Sequence, residues 1–146
     1  IVDAFSNNET DIVYGNLDYV NDESKVIRNW ISKPYEKGLV KKAWMPAHPT
    51  FYCKKEVYDR LDGYNDSFKI AGDFELCLRF LEINNIPSYY LNKKLVNMLV
   101  GGISNSGLSS KFTILKEELR AFKINERSIN PILFLLHKIK KLKQFI

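Results

Sequence analysis

Two cysteines and two histidines are the only thiols and imidazoles in this 146-residue chain. Cys53 sits in TFYCKK and Cys77 in FELCLRF. Both have apolar neighbours and neither lies at a ligand spacing, so they read as two buried, reduced thiols, which fits a reducing compartment. His48 has no second His or Cys close in sequence, which argues against a metal role for it. No apolar run approaches the roughly 18 residues that a membrane-spanning helix needs. No signal peptide opens the chain, and Ile1-Val2-Asp3 reads as mid-sequence, so the expectation is a fragment of a longer protein. Internal repeats and low-complexity tracts are absent. So are the G-x-G-x-x-G fingerprint and a phosphate loop with its lysine.

What is present describes one globular domain. The chain is 45% hydrophobic and 27% charged, and its length suits a single core. A net charge of +5 favours anionic partners: nucleotide diphosphates, nucleic acid or an anionic membrane. No basic patch interleaved with aromatics accompanies it, so nucleic acid is not expected.

Along the chain, strands and helices alternate. Ile1, Val2, Ala4 and Phe5 are at helical spacing, and Ser6 to Thr10 is a polar loop. DIVYGNLDYV reads as a strand interrupted near Gly15, followed by a turn at NDES. Pro34, Pro46 and Pro49 forbid one long helix in the next stretch, and PTFYCKK is a short strand. KKEVYDRLDGY is a helix with Gly63 as its left-handed stop. DFELCLRFLEINN is the strongest helix, apolar on so much of its surface that burial on most sides follows. IPSYYLNKKLVNMLV reads as one or two strands and GGISNSGLSS as a flexible loop. A helix with Ser110 as its N-cap follows, carrying Phe112, Leu115, Leu119 and Phe122 on one stripe. After Asn130-Pro131 comes an amphipathic helix over 130–146, with Ile132, Leu135, Leu136, Ile139 and Leu142 on one side and four lysines mostly on the other. The mixture predicts an α/β fold.

Few residues stand out as chemistry. Asp73 opens the buried helix, either as an N-cap suited to the positive helix end or as a general base on a rigid mount. Glu75, two residues on, faces elsewhere, so the two acids are no glycosidase-type pair, and Glu75 reads as a dipole-matched first-turn residue. Gly101, Gly102 and Ser104 form either an ordinary turn or a close backbone approach to a ligand. His48 is either structural or a contact to a phosphate or sugar hydroxyl. The basic last helix either docks on an anionic membrane or packs on protein.

The order DIVYGNLDYVND, HPTFYCKKEVYDRLDGYNDSFKIAGDFELCLRFLE and YYLNKKLVNMLVGGIS resembles the C-terminal half of family 2 glycosyltransferases of the bacterial surface-polysaccharide type, over about residues 1 to 125. The resemblance implies a partial GT-A fold, a Rossmann-like mixed sheet with flanking helices. It implies inverting transfer of a sugar from a nucleotide-sugar donor to a glycan or lipid-linked acceptor, at the cytoplasmic face of a membrane. Residues 1–129 would be the acceptor-side portion of that domain. It implies Asp73 as catalytic base, with His48, Gly101, Gly102 and Ser104 near the substrate. The family's base often follows a Glu, whereas Gly72 precedes Asp73 here. The family's divalent cation, Mg²⁺ or Mn²⁺, is held by an Asp-x-Asp motif that this sequence lacks, so the expectation is an inactive portion that needs an upstream half and is prone to self-association. The alternative is a non-catalytic binding or assembly module of the same architecture.

Overall fold

The computed structural model describes residues 1–100 and 108–143, with side chains in the last two helices followed over 110–140. Helix α1 (Val2–Asn7) leads into strand β1 (Ile12–Val20), the centre of a four-stranded mixed sheet. Strand β4 (Ser88–Leu99) runs parallel to β1 along its whole length. Strands β2 (Val26–Trp30) and β3 (Tyr52–Cys53) both pair antiparallel with β1, β2 at Leu17–Val20 and β3 at Ile12–Val13. A strand has two edges, so β2 and β3 share, end to end, the edge that β4 leaves open.

Gly15 does not break β1 as its sequence suggests. The strand continues through it, and the irregularity falls in the pairing with β4, whose register shifts between Tyr14 and Asn16. A Cβ at Gly15 would lie 2.7 Å from the Lys93 carbonyl oxygen and 2.7 Å from Leu95 Cδ1, so only glycine admits this approach. The β4 segment is one strand, not two. PTFYCKK contributes only two paired residues, because His48–Thr50 first winds into a single 3₁₀ turn around Pro49.

Helix α2 (Lys55–Arg60) ends in a turn where the Gly63 N–H donates to the Tyr58 carbonyl at 2.9 Å and Gly63 takes φ +53. Helix α3 (Gly72–Cys77) continues into a π-type turn, Leu78–Ile83, so the expected long helix is regular only in its first half. Its apolar girdle splits by direction. Leu76, Cys77, Phe80 and Leu81 pack on Ile12 and Tyr14 of the sheet, with Phe51 and Val57. Phe74 and Leu78 pack on Ala121 and Phe122 of helix α4 (Leu108–Ile124) and Phe134 of helix α5 (Pro131–Lys143). Thus α3 is a middle layer between sheet and outer helices. The rings of Phe74, Phe122 and Phe134 meet edge to face at 5.6–6.0 Å, a geometry worth about 1 kcal/mol per pair beyond burial.

One helix start differs from expectation and one agrees with it. Helix α4 begins at Leu108, so Ser110 lies inside it rather than capping it; each further residue adds a backbone bond at little propensity cost. Helix α5 is capped by Asn130, whose Oδ1 accepts the N–H groups of Ile132 at 3.0 Å and Leu133 at 3.1 Å, with Pro131 as first helical residue.

The approach to α3 is held from a distance. The buried Glu117 carboxylate on α4 accepts the backbone N–H groups of Lys69, Ile70 and Ala71, each at 2.9 Å. Burial opposes its charge, but these three donors and Arg120 outweigh that and hold its carboxyl below the ordinary value of 4.5. Glu117→Ala is expected to cost about 3 kcal/mol, because three partly or fully buried N–H groups lose their acceptor. The folded-state value is depressed, so this stability is present above the unfolded value and is lost as pH falls through the folded one. Urea unfolding at neutral pH should show the deficit, and urea unfolding in acid should show it shrinking. A deficit under about 1 kcal/mol at neutral pH would sink the assignment.

Candidate active site around Asp73

The site assembles where the α3 N-terminus meets the end of β1 and two loops. Asp73 is the second residue of α3, and Ala71 holds the N-cap position without a side-chain bond. Asp73 is therefore not the N-cap that its sequence position suggests. Its Oδ1 accepts the Phe74 N–H at 2.7 Å, its only hydrogen bond among the described residues. The bond meets one of the unpaired first-turn donors and fixes the side chain's rotation. Asp73 is half-buried, on a helix that cannot shift without disturbing both cores.

Glu75 proves to be structural, but by a different device from dipole matching. It is buried, and both its oxygens bind Arg79 one turn on, with Oε1 from Arg79 Nε at 2.9 Å and Oε2 from the guanidinium at 2.9 Å. Asn125 of α4 also donates to Oε1 at 3.1 Å. Arg79 in turn donates to the carbonyls of Leu61 and, at 2.5 Å, Gly63. This network ties α3 to the exit turn of α2 and so holds the following residue, Tyr64.

His48 reaches the site from the 3₁₀ turn. That turn is stapled to mid-β1 by the fully buried Thr50, whose hydroxyl accepts the Gly15 N–H at 3.0 Å and donates toward the Gly15 and Ala47 carbonyls. Ser32 accepts the Ala47 N–H at 3.0 Å, and the Ser32 N–H donates to Asn16 of β1 at 2.9 Å. The His48 ring stacks on Phe51, and its Nε2 lies 2.5 Å from the Tyr64 hydroxyl. Its Nδ1 is buried and unpartnered among the described residues.

Asp73 acts electrostatically on three of these neighbours. Burial lowers the His48 pKa, and the Asp73 charge opposes that in part. Burial pushes Tyr64 up to about 12, with Asp73 contributing in the same direction, so Tyr64 keeps its proton at neutral pH. At the end of β1, burial raises Tyr19, the Arg28 guanidinium above its ring lowers it, and Asp73 raises it. A carboxylate, an imidazole and two phenols thus share one field. Tyr64 and Tyr19 were not singled out by sequence reading. The Gly63-Tyr64 step after the helix stop is the signal for the first; nothing local marks the second.

On the same strand, Asp18 is buried. Its carboxylate accepts from Asn29 at 2.6 Å and is ion-paired with Lys94. The Lys94 hydrogen bond lowers its pKa, ahead of a burial penalty.

The native His48 resists protonation, whereas an unfolded histidine gains its proton near 6.5. Its folded pKa lies below its unfolded one. The unfolded state therefore binds more protons as pH falls through that region, and stability drops with falling pH. His48→Asn is expected to flatten the stability profile between about pH 5 and pH 7. Urea titrations across that range test it, and an unchanged slope would remove His48 as its origin.

Gly101, Gly102 and Ser104 lie outside the described residues. Both cysteines are free, Cys77 buried and Cys53 half-buried, and burial raises each thiol, Cys53 to about 12. Among the described residues no group of three His, Cys, Asp or Glu could hold a metal ion. No step below runs through the divalent cation that the resemblance implies. No family model and no curated protein matches the chain.

Proposed function

We propose that the chain is the acceptor-side portion of an inverting glycosyltransferase of the GT-A type, with Asp73 as its general base. One observation carries this reading. Asp73 stands half-open at the head of a helix buried on two sides, its Oδ1 held by the Phe74 N–H, and its charge acts on His48, Tyr64 and Tyr19. The mixed α/β sheet and the order of motifs along it agree with that reading.

In the proposed step an acceptor hydroxyl binds against Asp73. The carboxylate takes its proton as the oxygen attacks the anomeric carbon. The new carbon–oxygen bond forms as the bond to the diphosphate breaks, and the nucleoside diphosphate leaves with the electron pair. The half-exposed Tyr64, whose hydroxyl lies 2.5 Å from His48 Nε2, supplies a polar contact for a substrate hydroxyl or phosphate oxygen. Glu75 is buried in its pair with Arg79 and takes no part, so in this reading Asp73 acts alone on the acceptor and the single displacement inverts the anomeric centre.

The test is the natural full-length product, incubated with a panel of nucleotide-sugars and candidate acceptors and with Mg²⁺ or Mn²⁺ present. The expected result is acceptor-dependent release of nucleoside diphosphate and a product of inverted anomeric configuration by NMR. Retention would refute the single displacement. Failure with every donor would favour the binding-module alternative.

A further inference from the structure

Helix α5 is amphipathic in the inverted sense. It touches the domain through Phe134, which is fully buried, and through the half-buried His137 and Lys138. Lys138 pairs there with Glu118 of α4. At about 100° per residue, Leu135, Ile139, Ile132 and Leu136 share one arc on the opposite side. Ile132 is 73% exposed, Leu136 50%, Ile139 43% and Leu135 42%. The apolar stripe that a soluble helix turns inward here faces out.

The stripe does not end at the helix. Leu135 and Ile139 also line a groove of about 500 Å³ between β2, α4 and α5, with Phe74, Leu115 and Phe112, the last 70% exposed. Together they make a continuous apolar surface of the kind that marks an interaction site. Its rim carries more cations than anions: Lys140 stands beside the stripe on α5, Lys111 and Arg28 line the groove, Arg28 over the Tyr19 ring, and the one acid there, Glu118, is paired with Lys138. No helix among the described residues is long and apolar enough to cross a membrane.

We propose that this face docks on an anionic lipid bilayer, with α5 lying in the interface plane. The charge pattern selects that occupant. Apolar side chains between cations match a hydrocarbon boundary beneath anionic head groups, and lysine stems lie along the apolar surface while their ammonium groups reach the phosphates. A second copy stacked on the same face would oppose one cationic rim to another. This inference goes beyond the proposed transfer reaction and does not depend on it.

Sedimentation with vesicles of phosphatidylglycerol and phosphatidylcholine tests it. The chain should bind these vesicles, bind pure phosphatidylcholine far more weakly, and dissociate as salt rises from about 0.1 M to about 1 M. The variant Ile132→Ser/Leu136→Ser/Ile139→Ser should lose binding by about a hundredfold, with unchanged circular dichroism because all three side chains are exposed. Lys140→Glu should weaken binding to anionic vesicles only. As an independent readout, Leu136→Trp should add a blue-shifted emission component on anionic vesicles, relative to the wild type. Failure to bind anionic vesicles would overturn the proposal. So would undiminished binding by the triple variant. A wild-type dimer that the triple variant converts to monomer, without vesicle binding, would assign the face to a second copy instead.

Discussion

Under the proposed reaction, Asp73→Asn is expected to lower sugar transfer about a thousandfold, the range of a lost general base, while leaving the fold intact. The substitution isolates the proton acceptor. Asparagine keeps the shape of the side chain and an oxygen able to accept the Phe74 N–H, so the first turn of α3 retains that bond. It removes the charge that Asp73 exerts on His48, Tyr64 and Tyr19. Base removal should appear in kcat, because proton abstraction belongs to the transition state rather than to ground-state binding. A rise in KM with kcat unchanged would make Asp73 a substrate-binding residue. Unchanged turnover would remove it from the chemistry altogether. Circular dichroism and urea unfolding of the variant guard against a trivial loss of structure.

Breaking the Glu75–Arg79 pair from one side should be the most damaging single change to stability. Arg79→Met leaves the Glu75 carboxylate buried, with Asn125 as its remaining partner, and strips two carbonyls of their donor. Removing one member of a buried pair costs about 4 kcal/mol, against a typical total of about 5–15 kcal/mol for a domain. Glu75→Leu alone should cost less than Arg79→Met, because it leaves a cation that is less deeply buried and keeps its two backbone carbonyls. The double variant Glu75→Leu/Arg79→Met should be more stable than the sum of the singles requires, since neither charge then remains unpaired. Chemical denaturation of all four proteins yields the coupling. Strict additivity would mean that the pair contributes no mutual term. Because Arg79 also anchors the turn before Tyr64, a loosened His48–Tyr64 contact should accompany the loss.

Much of the framework was legible because it rests on local rules. The apolar residues Ile12, Val13, Tyr14 and Leu17 mark a strand, and the structure makes that strand, β1, the uninterrupted centre of the sheet. The wide apolar girdle of α3 predicted burial on most sides, and the helix lies between two cores. Gly63 and Asn130-Pro131 stop and start elements through backbone constraints that neighbours alone impose. Glu75 was less legible. Its burial is not local, although an arginine one turn on was a readable partner at the i, i+4 spacing.

The sequence by itself determined the α/β class, the order of elements, the placement of an acid at the head of a buried helix and the amphipathic character of α5. Each follows from periodicity, turn chemistry or charge, which act over a few residues. Only the tertiary structure decided which acid holds the loop leading into α3. That is Glu117, reached across 46 residues from Ala71, while Asp73 stays in the first turn and acts by its charge on His48 and Tyr64. Only the tertiary structure decided the orientation of α5, where Phe134 inserted between Phe74 and Phe122 turns the leucine and isoleucine stripe outward. A helical period states that a helix has two faces. Packing against non-local partners selects the face that is buried.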